Sequence, residues 1–456
     1  MSSRDGASSV TTPARGETYL ALATVAVFLL VRLALLIVRE PFFDELFTVW
    51  MAQKPFAGIL PALRLDSGPP LYYFLARIPN VFALRALSLL FATGALLIVL
   101  MRRSLGPGRL FAAMLLAVYP PAVLFAVDAR AYALCGLFVT LGIVAVREKR
   151  PFGAAVAFLL AAYTHWYGAL FLPLVLLAGS SSGTGENAPN RRVRAAGAYL
   201  GACVLFLPGL WLALRQPAEA TEWLSGQNPL AVLGTFAFTG QYAEALFASP
   251  SLLLTIFSGI VLIAALAGSR TLKGTFAPFV LVPAVLAFAF ALGGRTVYFP
   301  MRFDSVVAVP LMLWVGTSLQ QWQPRIRTVL LVLLIACGAF VTVAGISDHA
   351  RRATDPYREA AGVLREKAKP GEKIVATGFL YLEATEALGP GRVESWPAEQ
   401  SRHPGWRVMR RTDDPLPLGP FLWIGERAAP EYAEIYNRRT TSTVFANDRA
   451  IIVRVE

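Results

Sequence analysis

Apolar residues in this chain come in long blocks, and only a few short stretches show the stripes of an amphipathic helix or the alternation of a half-buried strand. Runs near residues 19–38, 82–101, 110–127, 132–146, 151–165, 166–179, 195–213, 251–268, 275–292, 303–320 and 328–345 carry few charges. A segment that crosses lipid needs ~20 apolar residues in helical form, because its backbone groups find no water to bond. The blocks therefore predict eleven membrane crossings. From about Ser347 the pattern becomes that of a soluble chain. Asp355 to Lys369 reads as a helix stopped by Pro370-Gly371, and 430–438 as another; Lys373 to Thr377, 421–425 and 450–455 read as strands. The expected fold class is a polytopic α-helical membrane protein. Residues 1–345 would form its transmembrane part and 346–456 a small soluble α/β domain.

Two connections between blocks are too long to be turns. In segment 39–81, Asp44 to Gln53 is expected as an interfacial helix, with Leu46, Phe47, Trp50 and Met51 available to lipid. Pro69-Pro70 opens a second amphipathic stretch, Leu71 to Ile78. The second long loop, 215–250, contains Trp223, Phe236, Phe238 and Tyr242. Residues 151–182 are the difficult stretch, because basic residues flank both ends and two crossings leave only ~16 residues for each. Two short spans or a re-entrant hairpin would both put Tyr163-Thr164-His165-Trp166-Tyr167-Gly168 on the outer side.

Composition agrees with the blocks: 56% of residues are hydrophobic and only 16% charged. A soluble enzyme, a disordered tail protein and a disulfide scaffold are excluded. The formal net charge of +13 divides unevenly, with +12 on residues 1–345 and +1 on residues 346–456. Lys and Arg cluster in short connections, as topology signals do, so no nucleic-acid partner is implied. Placing the clusters at Arg102/Arg103/Arg109, Arg147/Lys149/Arg150, Arg191/Arg192/Arg194, Arg270/Lys273 and Arg325/Arg327 in the cytoplasm gives a path with the N-terminus inside and the C-terminus outside. The first run lacks a small-residue cleavage site after it and is read as a retained span. Cys135, Cys203 and Cys337 all lie in apolar runs and carry no metal-ligand spacing.

This topology sorts the remaining charges. Asp44, Glu45, Asp66, Asp128, Arg130, His165, Arg295 and Arg302 all fall at outer ends or in outer loops. Taken singly, each has an ordinary structural reading. Asp44 is placed to be a helix N-cap, Glu45 a first-turn acid and Asp66 a turn former. Asp128 and Arg130 could pair with each other, His165 could be a satisfied interfacial histidine, and Tyr72 and Tyr73 could belong to an aromatic belt. Pro120 and Pro121 read as a kink. Together the acids and arginines suggest one outward-facing site. A carboxylate there can take a proton from an acceptor, while arginines hold a phosphate and stabilise a leaving group. A phosphate at headgroup level on a long apolar tail fits such a site, and that describes a polyprenyl-phosphate sugar.

Pro41-Phe42-Phe43-Asp44-Glu45, followed by Asp66-Ser67-Gly68-Pro69-Pro70-Leu71-Tyr72-Tyr73, resembles the first outer loop of the GT-C glycosyltransferases. The similarity is greatest to the protein O-mannosyltransferase-like and lipid A aminoarabinose transferase-like branch (glycosyltransferase family 39). Phe82-Ala83-Leu84-Arg85, Asp128-Ala129-Arg130-Ala131-Tyr132-Ala133-Leu134, Thr164-His165-Trp166-Tyr167 and Arg302-Phe303 follow in order, so the resemblance covers most of residues 19–345. It implies an integral-membrane, inverting glycosyltransferase using a polyprenyl-phosphate donor on the side away from the cytoplasm. Asp44 would be the catalytic base with Glu45 beside it, and Asp66 and Asp128 supporting acids. Arg85, Arg130 and Arg302 would serve the donor phosphate or cavity, Tyr72 and Tyr73 would line the cavity, and loop 215–250 would cover the site.

There are departures. Gly68 stands where relatives often carry His, Asp128 where Glu is common, and Phe303 where Tyr is common. The first disfavours a bound divalent metal, and no cofactor is firmly implied. The expected partners are membrane lipid, the lipid-linked donor and an unidentified envelope acceptor; the expected location is a bacterial plasma membrane. Two alternatives stand beside this reading: a transporter or flippase of a lipid-linked intermediate, for which Arg32 inside the first run is the one deep charge, and a non-catalytic envelope scaffold.

Overall fold

A computed structural model describes residues 15–180, 188–217, 228–236, 252–268, 275–293, 298–299, 301–351, 355–378, 380–389, 391–396, 417–428 and 435–456. Trp223, Phe238, Tyr242, Arg270, Lys273 and Arg295 lie outside the described residues.

The chain opens with α1 (Arg15–Val38). Three short helices follow in the first long connection, α2 (Phe43–Ala52), α3 (Phe56–Leu63) and α4 (Leu71–Leu75). Then come α5 (Val81–Met101), α6 (Arg109–Val118), α7 (Pro120–Leu124), α8 (Tyr132–Arg147), α9 (Pro151–Thr164), α10 (Trp166–Ala169) and α11 (Ala188–Arg215). The apolar part ends with α12 (Leu252–Leu266), α13 (Pro278–Leu292), α14 (Arg302–Leu319) and α15 (Pro324–Arg351). Among the described residues four helices are long and apolar enough to cross a membrane, within Arg15–Val38, Val81–Met101, Pro189–Arg215 and Pro324–Ser347. Shorter apolar helices pack among them. One contact needs glycine on both sides: a Cβ added to Gly108, just before α6, would lie 2.5 Å from the backbone of Gly316 in α14.

The third apolar run is two helices, broken at Pro120-Pro121. The break leaves the carbonyls of Leu116 and Ala117 facing, four residues on, two prolines with no N–H to donate. Arg32 of α1 supplies the missing donors. Its guanidinium reaches the oxygens of Leu116 (2.9 Å), Ala117 (3.0 Å) and Ala122 (3.1 Å) and lies 3.5 Å from the centre of the Phe28 ring. The neighbouring carbonyl of Val118 accepts from the Thr342 hydroxyl at 3.2 Å. The deep arginine is thus explained by backbone repair, which lipid makes obligatory.

The stretch 151–180 forms a hairpin of two short limbs, α9 and a return that is helical only in α10 and in a 3-10 segment at Leu172–Gly179. Gly168 sits against the Ala161 backbone at the turn. At the other end the Lys149 ammonium donates to the Ser180 carbonyl at 2.8 Å, so the two ends of the hairpin meet.

After α15 the chain builds α16 (Pro356–Lys367), β1 (Ile374–Ala376), α17 (Leu380–Leu388), β2 (Glu394–Ser395), β3 (Phe421–Glu426), β4 (Thr441–Ala446) and β5 (Ala450–Val455). The sheet order is β2-β1-β3-β5-β4, parallel from β2 to β3 and antiparallel beyond. β1, β3 and β5 match the expected strands. β2 and β4 were not expected, because β2 is two residues long and β4 is half polar and lies at an edge.

One face of the sheet, with Ile374, Leu422, Ile424 and Ile452, shares a continuous apolar core with α2, α4 and α5 through α16 and α17. This corrects the expected role of α2. Leu46, Phe47 and Met51 are buried rather than turned to lipid, because α17 packs on that helix. The outward-facing apolar residues of this segment are Phe56 (61% exposed) and Leu60 (43%) of α3 and Leu75 (50%) of α4. Polar contacts tie the same joint: the Asp355 N–H donates to the Glu40 carboxylate at 3.0 Å, and Arg358 donates to the Pro41 carbonyl and to Glu383.

Candidate active site

Asp44 and Glu45 are consecutive residues in the first turn of α2, and their side chains have separate surroundings. Glu45 points inward. Its carboxylate accepts from Arg85 Nε at 2.8 Å, from Arg85 Nη2, from the Ala129 N–H at 2.9 Å and from the Phe42 N–H at 3.4 Å. Arg85 also donates to the carbonyls of Arg39 (2.6 Å) and Glu40 (2.9 Å). Both side chains are fully enclosed. Their geometry knots the end of α1, the start of α2, α5 and the Asp128 loop together, and leaves neither group a face for a ligand. In this arrangement Glu45 and Arg85 bond each other and the surrounding backbone.

Asp44 points the other way. Its Oδ2 accepts from Arg302 Nη2 at 3.0 Å, and the two side chains remain 21% and 24% exposed. Arg130 donates to the Asp44 carbonyl (3.3 Å) and to the Tyr73 hydroxyl (3.2 Å). Burial by itself would raise the Asp44 carboxyl. Arg130, then Arg302 with its hydrogen bond, outweigh it and hold the group below the usual carboxylate range. Asp44 is an ionised carboxylate with an accessible face.

The other two acids differ. Burial pushes the Asp66 carboxyl up to about 6, with Arg130 opposing only in part. Asp128 is raised too, first by burial, with Arg39 the main opposing charge. Neither Asp128 oxygen has a hydrogen-bond partner among the described residues, and Arg39 Nη2 stands 3.9 Å away. Asp128 does not pair with Arg130 through its side chain; the Arg130 N–H bonds to the Asp128 carbonyl at 2.7 Å. Tyr72 is buried near Asp128 and Arg130. His165 accepts the Tyr167 N–H on Nδ1 at 3.2 Å and stacks its ring between Tyr132 (4.9 Å) and Tyr167 (4.4 Å). The structure thus gathers Asp44, Asp66, Asp128, Arg130, Arg302, Tyr72, Tyr73 and His165 into one region.

Beside this region lies a small apolar cavity of about 50 Å³ between α1, α5, α7, α8 and α14, lined by Phe28, Leu96, Phe125, Tyr132, Ser305 and Val309 among others. It adjoins the charged cluster, since Ser305 on its wall donates to the Arg302 carbonyl at 2.7 Å. Phe303 is fully buried between the rings of Tyr167 (5.4 Å) and Tyr298 (5.2 Å). Such a packed position has little use for a hydroxyl.

Three residues were missed. Arg39 adds positive charge to Glu45, Asp128 and Asp44; its signal was available, since an arginine at the outer end of a span runs against the positive-inside rule. Gln216, just after α11, uses its whole amide. It donates to the carbonyls of Leu63 (2.9 Å) and Gly68 (2.8 Å) and accepts from the Gly68 N–H (3.3 Å) and Trp166 Nε1 (3.2 Å). It thereby fixes the Asp66-bearing turn, and nothing in its sequence context marks it. Asp304 is the third, buried one turn into α14.

No protein-family model and no curated protein sequence matches the chain. Its fold does have solved counterparts. The crystal structure of ArnT from Cupriavidus metallidurans bound to undecaprenyl phosphate superposes with a TM-score of 0.58 at 13% identity, covering 96% of this chain and 98% of that one. The apo structure of ArnT from Cupriavidus metallidurans gives 0.60 at 12% identity over the same shares of the chains. The chain has the GT-C fold. The match extends over nearly the whole length of both chains.

Proposed function

We propose that the protein is a GT-C glycosyltransferase that moves a sugar from a polyprenyl-phosphate donor to an envelope lipid, glycan or protein on the extracytoplasmic face. The observation that carries this reading is the Asp44–Arg302 pair, an accessible ionised carboxylate and a guanidinium beside an apolar cavity. ArnT bound to undecaprenyl phosphate supports the donor class. The prenyl chain would lie in the cavity, and the donor phosphate at Arg302 and Arg130. Asp44 would take the proton from the acceptor hydroxyl or amine as that atom attacks the anomeric carbon. The bond from this carbon to the phosphate oxygen breaks as the new bond forms on the opposite face, inverting the centre. Polyprenyl phosphate leaves with the electron pair, its charge stabilised by the arginines. Asp66 and Asp128 would support the acceptor or sugar, and Tyr72, Tyr73 and His165 would line the site.

The same reading places residues 1–345 as the catalytic domain of about eleven spans and 346–456 as an extracytoplasmic domain seated on α2. It also places the protein in a bacterial plasma membrane, with the N-terminus inside. A transport path is disfavoured because Arg32, the charge inside the first run, is engaged by backbone carbonyls.

Purified full-length protein incubated with a panel of polyprenyl-phosphate sugars and envelope extracts, with products identified by mass spectrometry, tests the proposal. A sugar-bearing product made by the wild type and missing with Asp44→Asn is expected. A product made equally by both would remove Asp44 as base, and no product from any donor would remove the donor class.

A further inference from the structure

Arg302 meets Asp44 only because α14 begins where and how it does, and that beginning is unusual. The residue before it, Met301, has φ +64° and ψ −48°. This is the region of a γ-turn with positive φ, rare and strained for a residue with a side chain. Met301 is also fully buried, so the conformation is not a surface accident. Strain of this kind persists only where the surroundings enforce it, and such positions gather at functional sites.

The enforcing group is Asp304. Its Oδ2 accepts the Met301 N–H at 2.9 Å, and its two oxygens accept from the Tyr298 hydroxyl at 3.2 and 3.3 Å. Asp304 has no exposed surface. A carboxylate in the first helical turn is favoured there by the helix dipole, yet a surface cap would serve that purpose without burial. Glycine would adopt the Met301 conformation without strain, and the chain instead keeps a buried methionine with an acid holding its N–H.

We infer that Asp304, braced by Tyr298, is a positioning residue that clamps the strained turn at Met301 and so aims Arg302 at Asp44 and the donor phosphate. This rests on the reading of Arg302 under "Proposed function" only for the phosphate; the aim at Asp44 is independent of it.

The test reads the two parts separately, in purified full-length protein. First, Asp44→Cys and Arg302→Cys are introduced together in a Cys203→Ser background and bridged with a short bis-methanethiosulfonate linker. Bridging is expected to fall about fivefold on Asp304→Asn, the scale of one net hydrogen bond lost at a buried acceptor. Tyr298→Phe, the gentler change, should lower it less. The loss on Asp304→Asn should shrink when Met301→Gly is also present, because glycine needs no clamp. Bridging unchanged by both Asp304→Asn and Tyr298→Phe, or a loss that Met301→Gly leaves intact, would overturn the inference.

Second, binding of undecaprenyl phosphate is measured with the native Asp44 and Arg302 restored. Asp304→Asn should weaken it, and should weaken it no further when Arg302→Ala is already present. Equal losses in both backgrounds would mean that Asp304 acts by some route other than Arg302. A wild type that does not bind the lipid, with bridging behaving as expected, would remove the donor reading and leave the clamp.

Discussion

Asp44 and Glu45 are neighbours on one helical turn, each facing an arginine, and the two pairs have opposite surroundings. The Glu45–Arg85 pair is sealed: four donor contacts reach the carboxylate, two carbonyls take the rest of the guanidinium, and neither side chain is exposed. The Asp44–Arg302 pair meets through Arg302 Nη2 and Asp44 Oδ2, with about a fifth to a quarter of each side chain open. A buried pair that is fully bonded adds specificity of structure, and breaking it leaves an uncompensated charge. A half-open pair adds little stability, but it can exchange its partner for a substrate group. Adjacent acids of the same charge type are thus separated by how many of their lone pairs the protein itself satisfies.

The largest expected effect is on the open pair. Asp44→Asn should lower sugar transfer by ~10²–10⁴-fold, the usual range for a general base, while thermal unfolding stays close to wild type. Next is the sealed pair. Glu45→Ala should cost about 3–5 kcal/mol in stability, because Arg85 is left buried without its counter-charge. The double change Glu45→Met/Arg85→Met should cost less than that, and denaturation measured by tryptophan fluorescence checks both.

Gln216→Ala should have a smaller effect, about 1–3 kcal/mol, since the Gly68 and Leu63 groups it satisfies lose a partner in a confined place. Limited proteolysis between residues 64 and 70 should then quicken. The smallest is a pH effect. Asp66 has a carboxyl pushed up to about 6, so it takes up a proton as pH falls through 6, whereas Asp44 stays ionised there. If transfer uses ionised Asp66, rate should decline below about pH 6, and Asp66→Asn should abolish that limb while leaving the Asp44-dependent activity measurable.

Much of this site could be read before the fold was known. The blocks of apolar residues sorted the charges by membrane side, and that sorting brought Asp44, Asp66, Asp128, Arg130, His165 and Arg302 together from distant stretches. The sorting could not separate Glu45 from Asp44, because side-chain direction within one turn depends on what packs on each side of α2, and for Glu45 that is Arg85 of α5 and the Ala129 backbone. The lipid-facing reading of Leu46 and Phe47 failed for the same reason: period and polarity are identical for a helix lying on lipid and one lying under another domain. Arg32 was visible as an oddity, yet its role depends on the Pro120-Pro121 break some 84–90 residues away. Asp304 gave no signal at all, since an acid in a first helical turn is ordinary. Only the φ of the residue it holds marks it.

The most direct test of the account compares the two pairs in one assay: transfer from a polyprenyl-phosphate sugar by Asp44→Asn and by Glu45→Gln, each at matched amounts of folded protein. Asp44→Asn should fold as the wild type does and show no transfer, whereas the fraction of Glu45→Gln that remains folded should retain turnover. Wild-type turnover by Asp44→Asn, or complete loss of turnover in folded Glu45→Gln, would contradict the division of labour between the open and the sealed pair.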